Sequence, residues 1–456
     1  MTGEVHLVGI GGAGMSAIAK ILISRGERVR GSDRERSAYA QALEAMGVPV
    51  VIGHRAENIT DASLVVASSA IPENNVELAA ARAAGIPVLR RKDFLSDIVQ
   101  GKRVVAVAGT HGKTTTTALI AWILQAAGKA PSFIVGGQIR GLGTNAQWGE
   151  GQDFVIEADE YDRTFLGLEP WLAVVTNVEH DHPDCYPTEA EFKQAFQAFA
   201  DQVQGLLVVC AEDPGARTLV PGKARLETYG MEAEALWRAD EIRPNSAGGS
   251  DFLISRAGET LGLARSRLPG RHNVLNVLAA FAASSALGVE FAQAREALTS
   301  FQGVGRRFEI LGTAGGVTVI DDYAHHPTEI QATLQAARQR YPQARIWAVF
   351  QPHTYSRLRT LLPAFAKAFS QADQVVVLEV FAAREVPDEA LGGQQIAERI
   401  EHPQVAFAES IKQAVELLAG QIREGDVVVT LSAGDGNQVG ALLLKDRGNE
   451  GVERDG

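Results

Sequence analysis

The segment from Arg103 to Ala127 constrains the chain most. An apolar run, Arg103 to Ala108, stops at Gly109-Thr110-His111-Gly112-Lys113-Thr114-Thr115, and an unbroken helical pattern, Lys113 to Ala127, follows at once. A buried strand that turns through glycines into a helix is the opening of a parallel β-α unit, so the chain must build an α/β sheet. The loop is also a phosphate cradle. Backbone amides from Gly109 to Lys113 can surround phosphate oxygens, Lys113 can neutralise β- and γ-phosphates, and the Thr114 hydroxyl can ligate Mg²⁺. A strict Walker pattern requires glycine at position 107, where this chain has Val107. The remainder of the pattern holds, and its position after a buried strand makes it specific.

Short apolar runs alternate with helical patterns along nearly the whole chain, in three blocks. The expected fold class is α/β with three domains: a Rossmann-like domain over 1–100, a central P-loop-type ATPase domain over 101–304 and a Rossmann-like domain over 305–456. Strands are expected at 5–10, 28–33, 64–67 and 87–89 in the first block, and at 103–108, 154–158 and 172–178 in the second. A hairpin over 251–268 and helices over 269–287 and up to 301 close that block. Gly303-Val304-Gly305 reads as a linker, and strands at 317–320, 345–350, 374–380 and 426–431 form the third. The polar tail from about Lys445 is expected to be disordered. Length agrees with three domains: 456 residues at roughly 150 per domain.

With 43 Lys+Arg against 55 Asp+Glu the net charge is −12, which argues against nucleic acid as a partner. Two cysteines, Cys185 and Cys210, make neither a disulfide framework nor a metal pair, so a cytoplasmic location is expected. The opening residues show no basic stretch followed by an apolar core, so no secretory signal is expected. The longest uncharged stretch, Asn273 to Val289, carries two Asn and two Ser and reads as a buried helix, so no membrane span is expected.

A second glycine turn, Gly9-Ile10-Gly11-Gly12-Ala13-Gly14, lies between a strand and a helix, with Asp33 nineteen residues beyond Gly14. Glycines allow close backbone approach, and the helix end offers free amides to a pyrophosphate. The motif does not choose between a dinucleotide and a UDP-sugar, and a turn with no ligand is the bland alternative. Downstream of the phosphate loop come two strand ends bearing acids and imidazoles: Glu157-Ala158-Asp159-Glu160 and Asn177-Val178-Glu179-His180-Asp181-His182. Ligands gather at the carboxyl ends of parallel strands, so both clusters can face the phosphates and hold Mg²⁺. One such cluster alone reads equally as a solvated acidic loop; two after a phosphate loop do not.

Together these segments resemble the Mur ligases of peptidoglycan synthesis. The likeness covers essentially the whole chain, through GIGGAGMS (9–16), SSAIP (68–72), GTHGKTTT (109–116), EADE (157–160), Thr176-Asn177, Asp181-His182, GRHN (270–273), GVGRRF (303–308), DDYAHHPTE (321–329) and FQPHTYSR (350–357). The resemblance implies an ATP-dependent ligase that joins L-alanine to the lactyl carboxylate of UDP-N-acetylmuramate through an acyl phosphate, releasing ADP and phosphate. It implies that Gly11, Gly12, Ala13, Gly14, Met15, Asp33, His54, Ser68, Ser69 and Ala70 bind the UDP-sugar. It further implies that Gly109 to Thr115, His272, Asn273, Asn276, Arg307 and Asp322 bind ATP, and that Thr114, Glu157 and His182 hold Mg²⁺, with Mn²⁺ as a substitute. Lys113, Glu157, His182, His325, His353 and Arg357 become the catalytic group, and Tyr323, His325 and Arg357 the amino-acid pocket. Arg357 can pair bidentately with a carboxylate. The molecule is expected as a monomer or weak homodimer.

Three positions depart from many relatives: Thr354 stands where arginine is frequent, Tyr161 where serine is, and Gln197 where several sister ligases carry a carbamylated lysine. No carbamylation is expected, Lys193 being out of register. The nearest rival within the family is the recycling ligase that attaches the L-Ala-γ-D-Glu-diaminopimelate tripeptide. A nicotinamide dehydrogenase leaves the phosphate loop and the metal-type clusters unexplained, and a P-loop switch or motor, which predicts a partner-binding surface and ATPase activity without a UDP-sugar, has no positive signal here.

Overall fold

The computed structural model describes residues 3–232, 234–383 and 385–448. Three sheets follow one another along the chain. The first contains β1 (Glu4–Val8), β2 (Arg28–Asp33), β3 (Val50–Ile52), β4 (Ala62–Ala67) and β5 (Val88–Arg90), all parallel, in the order β3-β2-β1-β4-β5. Chain order reverses between β1 and β4. The glycine turn after β1 and the Ser68 turn after β4 therefore flank one crevice, where such sheets take ligands. The helix Ala13–Ser24 covers this sheet with Met15, Ala17, Ile18, Ile21 and Leu22 buried.

The second sheet has ten strands: β6 (Arg103–Ala108), β7 (Ser132–Ile139), β8 (Thr144–Gln147), β9 (Asp153–Glu157), β10 (Leu172–Val175), β11 (Leu206–Cys210), β12 (Arg225–Gly230), β13 (Trp237–Pro244), β14 (Ser250–Arg256) and β15 (Glu259–Ser266). Their order is β15-β14-β13-β12-β11-β10-β6-β9-β7-β8, parallel from β13 to β7 with antiparallel edges. β6 lies between β10 and β9 and is buried from Val104 to Ala108. The phosphate loop therefore opens at the centre of the sheet, beside the ends of both acidic strands. Val107 is fully buried within β6, so the position where the strict pattern has glycine is here a strand residue and needs none.

The third sheet holds β16 (Glu309–Ala314), β17 (Val317–Asp322), β18 (Ile346–Phe350), β19 (Gln374–Leu378), β20 (Val405–Ala408) and β21 (Val427–Leu431), ordered β16-β17-β21-β18-β19-β20 with only β16 antiparallel. This is the expected three-domain α/β class.

The predicted hairpin is β14–β15, and the predicted buried helix is Arg271–Ala286. No helix among the described residues is long and apolar enough to cross a membrane. The structure corrects the expectation in four places. β10 ends at Val175, because Thr176 and Asn177 turn to fasten the phosphate loop. β3, β7, β8, β11, β12, β13, β16 and β20 had no expected strand; several are short or half-exposed and carry a weak apolar signal. Gly303 to Gly305 is no free linker: Val304 is buried, and Gly303 and Gly305 exchange backbone bonds with Arg140 and Gln138. Lys445 to Arg447 finish the helix Gln438–Arg447, and 449–456 lie outside the described residues.

Candidate active site

Gly109 has φ of +131°, and a Cβ there would stand 2.0 Å from Thr176 Oγ1. Only glycine lets the loop lie against the end of β10. Thr176 Oγ1 donates to the His111 carbonyl at 2.5 Å, while Asn177 accepts from the His111 amide and donates to its carbonyl. The loop is thus clamped before any ligand arrives. Gly112, at φ +80°, caps the helix Lys113–Ala126 and packs on Asn276, whose amide bonds Asn273 and accepts from Thr116.

Lys113 Nζ donates to the carbonyls of Gly109 and Thr110 at 2.6 and 3.0 Å and to Glu160 Oε1 at 2.9 Å. Thr114 Oγ1 donates to Glu157 Oε1 at 3.0 Å, and Gly136 N–H donates to Oε2 at 2.7 Å. Burial raises the Glu157 pKa despite Lys113 and Arg307 nearby. A buried carboxylate beside a hydroxyl is a hard-oxygen pair that a divalent cation would relieve, so these residues fit Mg²⁺. His182, with φ +53°, lies 3.4 Å from Glu160 Oε1 and 3.7 Å from Asp181 Oδ2. It joins the group through Glu160, the last residue of the first acidic cluster.

The side chains from the third sheet's unit close over this loop. Arg307 Nη2 reaches Thr114 Oγ1 at 3.4 Å, and the Asp322 carboxylate accepts from the Phe308 and Ala324 amides. Burial pushes the Asp322 pKa up to about 6. A cavity of about 310 Å³ runs between the units, lined by His111, His272, Asn273, Asn276, Arg307 and Asp322 among others. Burial lowers His272 to about 4, so it is neutral.

The residues expected to form the amino-acid pocket lie near one another. The Tyr323 ring lies under the guanidinium groups of Arg306 and Arg307, at 5.0 and 5.2 Å, and meets His325 edge-on. His325 Nδ1–H donates to the Tyr323 carbonyl, and burial lowers its pKa to about 3, which leaves Nε2 as an acceptor. Arg357 Nη1 donates to His353 Nδ1 at 3.1 Å. The rest of that guanidinium pairs with Asp181 at 2.9 and 3.1 Å, across the boundary between the units. Asp181 is consequently held well below the usual carboxylate range despite its burial. Thr354 sits buried at φ +62°, an unfavourable conformation for a β-branched residue.

Glu179 and Glu329 stand in segments that the sequence marks, but their pairing with His111 was not expected. His111 Nε2 lies 3.0 Å from Glu179 Oε2, and its Nδ1 lies 3.2 Å from Glu329 Oε1. Thr328 Oγ1 donates to Glu179 at 2.8 Å. Burial would lower the His111 pKa, but the two carboxylates raise it to about 9. His111, Glu179 and His326 are also close enough to share a metal. With a carboxylate at each ring nitrogen, however, His111 is an imidazolium and has no lone pair to offer. It is an ionic clasp between the units. No pattern within one motif reveals it, since the partners stand 68 and 218 residues away.

In the first unit, Gly11 N–H donates to Asp33 Oδ2 at 2.8 Å, so Asp33 ties down the glycine turn itself. Gly12 caps the helix that begins Ala13-Gly14-Met15. The Ser68-Ser69-Ala70 turn faces Gly9, with Ser68 Cβ 3.0 Å from a Cβ built there. His54 Nδ1 meets Ser32 Oγ at 3.1 Å above the fully buried Glu77. Lys193 pairs with Glu189 on the outside of the helix Glu189–Gln202, and Gln197 bonds Asp201 and the Val220 carbonyl.

Three family models cover this chain in order: "Mur ligase family, catalytic domain" over 4–103, "Mur ligase middle domain" over 107–284 and "Mur ligase, glutamate ligase domain" over 306–434. The chain belongs to the Mur ligase family and is an ATP-dependent, amide-bond-forming ligase. A UDP-N-acetylmuramate–L-alanine ligase of Roseiflexus sp. (strain RS-1) is 46% identical, with 96% of this chain and 98% of the relative aligned. One of Salinibacter ruber is 43% identical over 99% and 97%. Among solved structures, the UDP-N-acetylmuramate-alanine ligase of Thermotoga maritima has a TM-score of 0.84 at 30% identity, covering 97% of this chain and 99% of that one. A murein peptide ligase from Psychrobacter arcticus scores 0.74 at 26% identity, covering 99% and 100%.

Proposed function

We propose that this chain joins L-alanine to the lactyl carboxylate of UDP-N-acetylmuramate in the bacterial cytoplasm. Residues 1–100 take the UDP-sugar, 101–304 take ATP with Mg²⁺, and 305–456 present the amino acid. The observation that supports the reading is that Arg307, from the third unit, reaches Thr114 Oγ1 in the loop that also carries Lys113, and that this hydroxyl donates to Glu157.

The lactyl carboxylate attacks the ATP γ-phosphate, forms the acyl phosphate and expels ADP. Two anions must meet, and Lys113 and Arg307 offset their repulsion. Thr114, Glu157 and His182 would hold Mg²⁺, which would supply neutralising charge at the phosphates. The alanine amine then attacks the acyl carbon, and phosphate leaves. Arg357 holds the alanine carboxylate, which takes over from Asp181, while His325 Nε2 accepts a hydrogen bond from the amine. His353 orients Arg357. Asn273, Asn276 and His272 border the adenine.

The test is phosphate release with ATP, Mg²⁺ and UDP-N-acetylmuramate, comparing L-alanine with the L-Ala-γ-D-Glu-diaminopimelate tripeptide. Release with L-alanine supports the reading. Release with the tripeptide alone would make this a recycling ligase, and none with either would remove UDP-N-acetylmuramate as the substrate.

A further inference from the structure

The turn after β9 carries a residue to which the reaction above gives no part. Tyr161 follows Glu160, whose carboxylate accepts from Lys113 Nζ at 2.9 Å and lies 3.4 Å from His182 Nε2. Hydrogen bonds fix the backbone around it. The Tyr161 amide donates to Asp159 Oδ1 at 3.1 Å, and the Glu160 carbonyl accepts from Tyr186 Oη at 2.6 Å and from the Arg163 amide at 2.9 Å. The half-buried Tyr161 ring is thereby set against the His182 imidazole, with centroids 5.2 Å apart and planes at 65°, an edge-to-face pair. His182 has its own backbone at φ +53°, in a turn where its carbonyl accepts from the Cys185 and Tyr186 amides. The Tyr161 hydroxyl donates to Asp184 Oδ2 at 3.4 Å, a long bond to an exposed carboxylate.

We propose that Tyr161 is a positioning residue, whose ring holds the His182 imidazole so that Nε2 is presented to a divalent cation beside Glu160. The inference rests on the reading of Thr114, Glu157 and His182 as the residues that hold Mg²⁺. An imidazole turns about two side-chain bonds and has several staggered settings. The observed one aims Nε2 at Glu160 and Asp181, at 3.4 and 3.7 Å. Edge-to-face contact favours that setting, because the edge of an aromatic ring is positive and its face negative. A ligand already oriented pays less ordering cost when the cation binds, and neighbours that orient a metal-binding histidine raise affinity in this way. The ring supplies this orientation and the hydroxyl adds little, its one bond being long and exposed. The same turn holds Lys113 through Glu160, so one short segment sets both the lysine and the histidine. The competing account is plain packing of two rings, which predicts a loss of stability with no change at the cation.

The experiment loads the full chain with Mn²⁺ and the β,γ-methylene analogue of ATP, which does not turn over. Electron spin-echo modulation then reports histidine nitrogen bound to Mn²⁺, and the free Mn²⁺ signal gives the affinity. Wild type, His182→Ala, Tyr161→Ala, Tyr161→Leu and Tyr161→Phe are compared. The nitrogen modulation is expected in wild type and absent in His182→Ala. Tyr161→Ala and Tyr161→Leu should lose most of it and bind Mn²⁺ about three- to tenfold more weakly, while Tyr161→Phe keeps both. Leucine fills the space without an aromatic edge, so a folding defect confined to the alanine variant does not decide the result. Wild-type modulation and affinity in Tyr161→Leu would reduce Tyr161 to packing and leave the ligase reading intact. An equal loss in Tyr161→Phe would move the effect to the hydroxyl and overturn the proposal. If wild type itself shows no nitrogen modulation, His182 is not a metal ligand, and the metal assignment fails together with this proposal.

Discussion

Single residues here are held by more bonds than their own motifs supply. Lys113 makes three, two to its loop and one to Glu160. Replacing it with alanine removes the charge that faces the transferring phosphoryl group. Turnover in Lys113→Ala should fall by at least about a thousandfold with an unchanged circular dichroism spectrum; a rate near wild type would take Lys113 out of catalysis. Glu77 is a stability residue beneath the first crevice. Burial opposes its charge, yet hydrogen bonds from His6, Ser32 and Asn58 hold its pKa down at about 2. Its ionised form therefore stabilises the fold above the ordinary carboxylate value of 4.5, and that contribution is lost as pH falls towards 2. Denaturation at a series of pH values should show up to about 3 kcal/mol disappearing across that interval in wild type, and a flatter profile in Glu77→Gln.

At the scale of elements, the phosphate loop is shaped by the strand beside it. Gly109 is squeezed against Thr176, whereas Gly128, at φ +72°, has nothing within 4 Å of a built Cβ. Alanine at Gly128 should cost about 1 kcal/mol of backbone strain and leave turnover alone. Alanine at Gly109 adds a collision with Thr176 at 2.0 Å and should weaken ATP binding more than about tenfold. Calorimetric titration of both variants with ATP checks the contrast. Equal affinities would mean that the loop does not need its contact with β10.

Across the whole molecule, the second and third units are joined by charge: His111 between Glu179 and Glu329, Arg357 on Asp181, and Arg307 near Thr114. The His111 pKa is raised from 6.5 to about 9. The clasp is thus complete below about pH 6.5 and is lost as pH rises through about 9. Small-angle scattering without ligands should report a larger radius of gyration at pH 10 than at pH 7. The change should vanish in His111→Gln; if it persists there, another group opens the molecule.

Much of this protein is local and therefore readable along the chain. β6 and the central strands of the third sheet are nearly continuous apolar runs, β1 and β2 are marked by the glycine turn after β1 and by Asp33, and both glycine turns sit where a strand must pass into a helix, so period and turn chemistry suffice. Lys113, Thr114 and Glu157 followed from the same logic, since loops at strand ends share one side of a sheet. The sequence does not show what depends on packing between units. Glu329 finds His111, Asp181 finds Arg357, and Asp159 finds Arg91 only after three separately legible sheets dock. A lone acid in sequence looks the same whether it faces water or a buried cation. Burial settles that difference, because desolvation forces a charge to find a partner, and burial exists only in the tertiary structure.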